Sequence, residues 1–198
     1  MTVTTLIWES IRSRDTATLR CLLEEGVFQP FSAAPNFTGT TALHLAAEVN
    51  NHDAALLLIL HRADVNAREF VTVGGRTPLH VAANEGSVSV AELLLKYGAE
   101  VEARDKRGFT PLATAAVSNQ AAAMRLLLAN GAHCEARDNE GHNPLWWAEN
   151  MGATKAVEEE QTGHVLKSRQ LLGDSGGPRD PLFVPLLVVP CSCDSLLK

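Results

Sequence analysis

The chain contains an internal repeat. Thr77-Pro78-Leu79-His80-Val81-Ala82-Ala83 recurs upstream as Thr41-Ala42-Leu43-His44-Leu45-Ala46-Ala47, and downstream as Thr110-Pro111-Leu112-Ala113-Thr114-Ala115-Ala116. A worn copy, Asn143-Pro144-Leu145-Trp146-Trp147-Ala148, follows, and a divergent one begins near Thr5. The anchors fall at positions 5, 41, 77, 110 and 143, so the spacings are 36, 36, 33 and 33 residues. A sustained period of this size marks a stacked array, in which one unit cannot bury its apolar face alone and must pack on its neighbours.

Each copy carries a second half in phase with the first. Leu93-Leu94-Leu95, closed by Gly98-Ala99-Glu100-Val101, aligns with Leu57-Leu58-Ile59 and Arg62-Ala63-Asp64-Val65. It aligns again with Leu126-Leu127-Leu128 and Gly131-Ala132-His133-Cys134, and with Cys21-Leu22-Leu23 and Gly26-Val27. The paired half-motifs resemble the ankyrin repeat, whose signature is Thr-Pro-Leu-His-x-Ala at about 33 residues. The resemblance covers residues 4–161. It implies an all-α solenoid of paired short antiparallel helices joined by hairpin-like finger loops. Repeats are expected at about 4–36, 37–72, 73–105, 106–138 and, incomplete, 139–161, so that 1–161 form the repeat domain. Residues 162–198 then make a C-terminal capping segment and flexible tail.

Local chemistry agrees with that reading. The opening Thr makes a tight turn, and Pro at the first helical position fixes φ where its missing N–H would be unpaired anyway. Paired alanines let successive first helices approach closely. Gly86, with Asn50 and Asn119 in its place elsewhere, suits a left-handed helix stop. Gly98 and Gly131 close the second helices, whereas Arg62 at that position predicts a strained or altered turn. Asp105-x-x-Gly108 and Asp138-x-x-Gly141 read as the turns leading to the next unit. By the resemblance, His44 and His80 bond the turn of their own or the adjacent repeat and are not acid–base or metal groups; Ala113 shows that the role is dispensable.

The ends depart from the pattern. The first copy is more polar, as suits a terminal unit. The connection over 27–40 holds Pro30, Phe31 and Pro35, is about three residues longer than a standard finger, and is expected to project. In the fifth copy Glu159-Glu160-Gln161 replaces the Leu triplet. Either residues 154–172 form a polar capping helix with Ala156, Val157, Val165 and Leu172 on its apolar side, or the repeat breaks off into an unrelated tail. From residue 173 the composition turns to Gly, Pro and Ser around a short apolar run at 182–190. Two prolines in that run exclude a membrane span.

Composition narrows the function classes. With 5% aromatic and 45% hydrophobic residues, the core must come from Leu, Val, Ile and Ala. The net charge is −6 and no Lys/Arg block stands out, so nucleic acid is not an expected partner and a basic protein face is. Neither a secretory signal nor an apolar stretch of roughly 18 residues is evident, so no membrane association is expected. Four scattered cysteines (Cys21, Cys134, Cys191, Cys193) read as reduced thiols of a cytoplasmic or nuclear protein.

Several motifs tempt. Gly173-Asp174-Ser175-Gly176-Gly177-Pro178 resembles the nucleophile segment of trypsin-like serine proteases, which would make Ser175 the nucleophile. His133-Cys134 echoes the histidine segment of that family, yet it sits in phase with Glu100-Val101, and an ankyrin array leaves no room for two β-barrels. The segment reads as a linker. Asp174-Ser175-Gly176 also begins like a phosphodegron, but Arg179 stands where a second Ser is needed. His133, Cys134 and His142 match no standard zinc spacing. Asn66, in Ala63-Asp64-Val65-Asn66-Ala67, resembles ankyrin asparagines that are hydroxylated in some family members; a turn-forming Asn is the competing reading.

These features imply a non-catalytic interaction module, without cofactor or metal, acting as a monomer on a protein partner of unknown identity. The working surface is expected on the concave face of finger tips and first-helix ends: Thr40, Glu48 and Val49; Arg76, Asn84 and Glu85; Lys106, Arg107, Phe109, Val117 and Ser118; Asn139, Glu140, His142, Asn150 and Met151. Phe109 and Trp147 are the expected aromatic anchors, with Trp147 alternatively core. A regulator that occludes an enzyme or transcription factor is the second reading. A serine hydrolase, resting on 173–178 alone, is the third.

Overall fold

Short helices need defined starts and stops, and the repeat supplies both. Pro78, Pro111 and Pro144 each open a helix behind an extended Thr77, Thr110 or Asn143. Thr110 Oγ1 caps the Ala113 N–H at 3.3 Å, and Asn143 Oδ1 caps the Trp146 N–H at 2.9 Å. The computed structural model describes residues 3–24, 39–70 and 74–151. All of them fall in 1–161, the first of two units into which the chain divides; the second, 162–198, lies outside the described residues.

Among the described residues there are nine helices and no strand. They are α1 (Val3–Ser13), α2 (Thr16–Glu24), α3 (Ala42–Glu48), α4 (His52–Leu60), α5 (Pro78–Glu85), α6 (Val88–Lys96), α7 (Pro111–Val117), α8 (Ala121–Ala129) and α9 (Pro144–Asn150). The first helices α1, α3, α5, α7 and α9 stack in sequence as one row, and α2, α4, α6 and α8 form a second row behind them. The expected all-α solenoid of helix pairs is therefore what forms, and the divergent first copy is a true helix pair that buries Ile7 and Ile11.

The core follows the sequence pattern. Ala46, Ala47, Ala82, Ala83, Ala115 and Ala116 are wholly buried between first helices. Leu58, Leu94 and Leu127, one per repeat, are wholly buried in the second row. A smaller satellite cluster joins Phe109, Ala113, Ala116, Trp147 and Ala148.

Helix stops recur with the same period. Arg14, Asn50, Gly86 and Asn119 end the first helices with φ of 60°, 49°, 69° and 55°. Each is followed by a six-to-one bond, such as Asn51 N–H to Ala46 O at 2.9 Å and Ser87 N–H to Ala82 O at 2.8 Å. Arg62 takes the place of Gly98 and Gly131 and adopts their left-handed turn at φ 65°, against 87° and 86°. The turn is thus kept in type, with Ala63 N–H reaching Leu58 O at 2.9 Å, and the arginine carries the strain of an L residue in that region. The projecting connection expected at 27–40 and the capping helix expected at 154–172 lie outside the described residues, apart from Gly39 and Thr40.

Candidate interaction surface

The finger loops are built by carboxylates that collect backbone N–H groups. Asp105 Oδ1 accepts from the N–H groups of Arg107 and Phe109, both at 2.8 Å. Asp138 Oδ1 accepts from those of Glu140 and His142, both at 2.9 Å. Burial pushes the Asp138 carboxyl up. The Trp147 Nε1–H at 2.7 Å, the His142 and Glu140 N–H groups and the His142 charge outweigh burial, and hold it below the usual carboxylate range. In the longer finger over 69–76 a glutamate takes this place and works differently. Glu69 is buried and ion-paired to Arg76, with Nε to Oε2 at 2.9 Å and Nη2 to Oε1 at 3.3 Å.

Successive fingers are laced together. Lys106 N–H donates to Gly74 O at 2.8 Å, and Asn139 N–H to Arg107 O at 3.0 Å. Asn139 Nδ2 adds a bond to Lys106 O at 2.9 Å. Gly108 makes this approach feasible: a Cβ there would lie 2.9 Å from Asn139 N, at a left-handed φ of 78°. Arg68, Arg104 and Arg137 form a ladder alongside, with Arg68 reaching Arg104 O, Arg104 reaching Arg137 O and Arg137 reaching Gly141 O. Sequence reasoning overlooked these arginines, although Ala67-Arg68-Glu69, Ala103-Arg104-Asp105 and Ala136-Arg137-Asp138 repeat in phase.

His44 and His80 connect fingers to helices in both of the ways the resemblance implies. Thr77 N–H, which can only donate, points at His80 Nδ1 from 3.2 Å, so the ring proton sits on Nε2 and is donated to Phe109 O at 2.9 Å. His44 does the same between Thr41 N–H, at 3.1 Å, and Arg76 O, at 3.0 Å. Burial holds both imidazoles below the usual histidine value, hence neutral.

Asn66 also bridges repeats: Oδ1 accepts the Glu100 N–H at 2.8 Å and Nδ2 donates to Gly98 O at 3.2 Å. Glu102 does part of this one repeat later, accepting the His133 N–H at 2.9 Å. Among the described residues no three His, Cys, Asp or Glu side chains converge as metal ligands, and no helix is long and apolar enough to cross a membrane. Ser175 lies outside the described residues.

Between the fingers and the first helices runs a groove of about 480 Å³. Arg76, Lys106, Arg107 and Phe109 line it from the fingers, with Gly74 and Asp105. Asn84 of α5 and Val117 of α7 line it from the helices, with Thr114. Six of the residues singled out from sequence thus meet there; Gly74, Asp105 and Thr114 were overlooked, as a turn glycine, a turn former and a buried threonine.

The other singled-out residues lie elsewhere. Glu48, Glu85, Glu140, Asn139, Asn150 and Met151 are exposed without lining the groove, and Val49 and Ser118 are half-buried. Ser118 donates to Asn84 Oδ1 at 2.7 Å, and Thr40 donates to Glu69 Oε1 at 3.3 Å. Of the two expected aromatic anchors, Trp147 takes its alternative place as core, and Phe109 lines the groove with little exposure. Phe109 is only 5% exposed and Trp147 only 8%, because their rings meet edge to face at 5.3 Å inside the satellite cluster. Phe70, Tyr97 and Trp146 are the exposed aromatics among the described residues, and Trp146 stacks on His142 with ring centroids 3.7 Å apart. Its place in the worn fifth copy corresponds to the histidine of earlier repeats.

Comparison with known families gives one match, to a family model described as Ankyrin repeats (3 copies), over residues 3–69 and 68–138. No curated protein matches the chain.

Proposed function

The chain belongs to the ankyrin-repeat family, and from that premise we propose that it is a non-catalytic adaptor that binds a protein partner in the groove between its fingers and first helices. The observation that carries this reading is the groove itself. Its walls come from two successive fingers and two successive first helices, all held by inter-repeat hydrogen bonds that a binding surface needs to be preorganised. Backbone groups of the fingers are largely satisfied within the array, so side chains at the rim carry recognition.

The reading extends to a monomer inside the cell, in cytoplasm or nucleus, in keeping with the free thiol of Cys21 among the described residues. Neither cofactor nor metal has a part in it, and Ser175 is a linker residue rather than a nucleophile. Occlusion of an enzyme or transcription factor is one form such binding takes, decided by the partner and not by the groove.

The test is proximity labelling and affinity capture in cells with wild type and with Val117→Trp, which fills the groove from α7. Proteins captured by wild type and lost with a folded Val117→Trp support the reading. An identical captured set in both contradicts it.

A further inference from the structure

The groove has a charge character opposite to that of the chain. The net charge is −6, yet the groove lining carries three cations, Arg76, Lys106 and Arg107, against one carboxylate, Asp105. Glu69 is tied to Arg76 at 2.9 Å, and Asp105 Oδ1 accepts two backbone N–H groups at 2.8 Å. Lys106 and Arg107 are exposed, and neither has a carboxylate within ion-pair distance among the described residues.

Arg107 is also pre-set for its work. Its guanidinium lies over the Phe109 ring, 4.2 Å from the centroid, and 5.9 Å from that of Trp147. This cation–π contact holds the guanidinium carbon over the ring; the N–H donors lie in the guanidinium plane. They make no side-chain hydrogen bond to another described residue. A planar fork held by a cation–π contact and left with free donors suits a carboxylate, which accepts two parallel bonds. Lys106 adds a compact ammonium one residue away.

We propose that the groove receives an acidic segment of the partner, with adjacent carboxylates on Arg107 and Lys106 and aliphatic stems against Val117. This deepens the protein-binding reading and rests on it. The whole-chain charge, which favours a basic partner, averages over carboxylates of which only Asp105 lines the groove. A nucleic acid fits less well. Binding of a polyanion strengthens with the number of phosphates neutralised, and only two unpaired cations stand here.

The experiment is a titration of the isotope-labelled full chain, followed by amide NMR at low ionic strength, with hexaglutamate, hexalysine and oligothymidylate as probes. Hexaglutamate is expected to shift the amides of Gly74, Lys106, Arg107 and Val117 saturably. Lys106→Glu/Arg107→Glu should weaken that binding about tenfold or more. Lys106→Gln alone, at an exposed position, should weaken it less while leaving the melting temperature unchanged. Absence of saturable shifts, shifts centred outside the groove, tighter binding of hexalysine, or equal binding of oligothymidylate would each overturn the proposal. Cellular capture separates the two claims. If the charge-reversed variant keeps the partners that Val117→Trp loses, protein binding stands and the acidic segment falls. If Val117→Trp loses nothing, the reading beneath it falls.

Discussion

His80 shows how much a single side chain holds. Its ring is wholly buried, is met by Thr77 N–H and donates to Phe109 O, so it ties a helix start to the next finger. Removing it leaves the buried Thr77 N–H unmet, while Phe109 O keeps the Asp105 N–H at 3.0 Å, and His80→Ala should cost about 1–3 kcal/mol in urea unfolding. His44 and His80 also make stability depend on pH. Burial keeps both neutral in the folded state, whereas in the unfolded chain they take up protons near the ordinary 6.5. Below that value the unfolded state binds more protons, so stability present above about 6.5 is lost as pH falls. The melting temperature should drop between neutral pH and mildly acidic buffer, and His44→Ala/His80→Ala should flatten that dependence. Arg62 offers the opposite case. At φ 65° it sits where glycine is at ease, and Arg62→Gly should raise stability by about 0.5–1 kcal/mol; an unchanged or lower melting temperature would mean that the arginine is not strained there.

At the scale of the element, each second-row helix has one wholly buried leucine: Leu19, Leu58, Leu94 and Leu127. Leu94 and Leu127 are wholly buried, so Leu94→Ala and Leu127→Ala should each cost about 2–5 kcal/mol by chemical denaturation. Because a repeat packs only on its neighbours, either change should loosen the whole short stack, not one helix alone. These elements were legible in the sequence. Thr-Pro starts, alanine pairs, leucine triplets and glycine or asparagine stops each encode a local requirement, and period fixed their order. The elements that sequence reasoning misread are those where tertiary pairing overrides residue type. Phe109 looked like an exposed anchor because it sits in a finger, but Trp147 on α9 covers it. The arginine ladder escaped notice because arginine in a loop suggests solvent, while its partners are backbone carbonyls a whole repeat away.

For the whole molecule, α9 is the last described helix of the array. Leu145, Trp146 and Met151 are 44%, 38% and 48% exposed, so α9 presents an apolar face to which no described helix contributes cover. A chain ended after Leu172 should keep its melting temperature, and one ended after Asn150 should lose several degrees. If the two melt alike, residues 151–172 do not cap the stack. The candidate groove was only half legible in sequence. Spacing located Arg76, Asn84, Lys106, Arg107 and Val117, but their charge character depended on which carboxylates are spent inside, and pairing such as that of Glu69 with Arg76 follows only from the folded finger. The account as a whole stands on where contact with a partner occurs. The most direct measurement places a photo-crosslinking amino acid at Lys106, in the groove, or at Lys96, exposed on α6 in the second row. After irradiation in cells, covalent adducts to a defined protein are expected from position 106 and not from 96. Adducts from 96 with none from 106 would contradict the groove as the working surface.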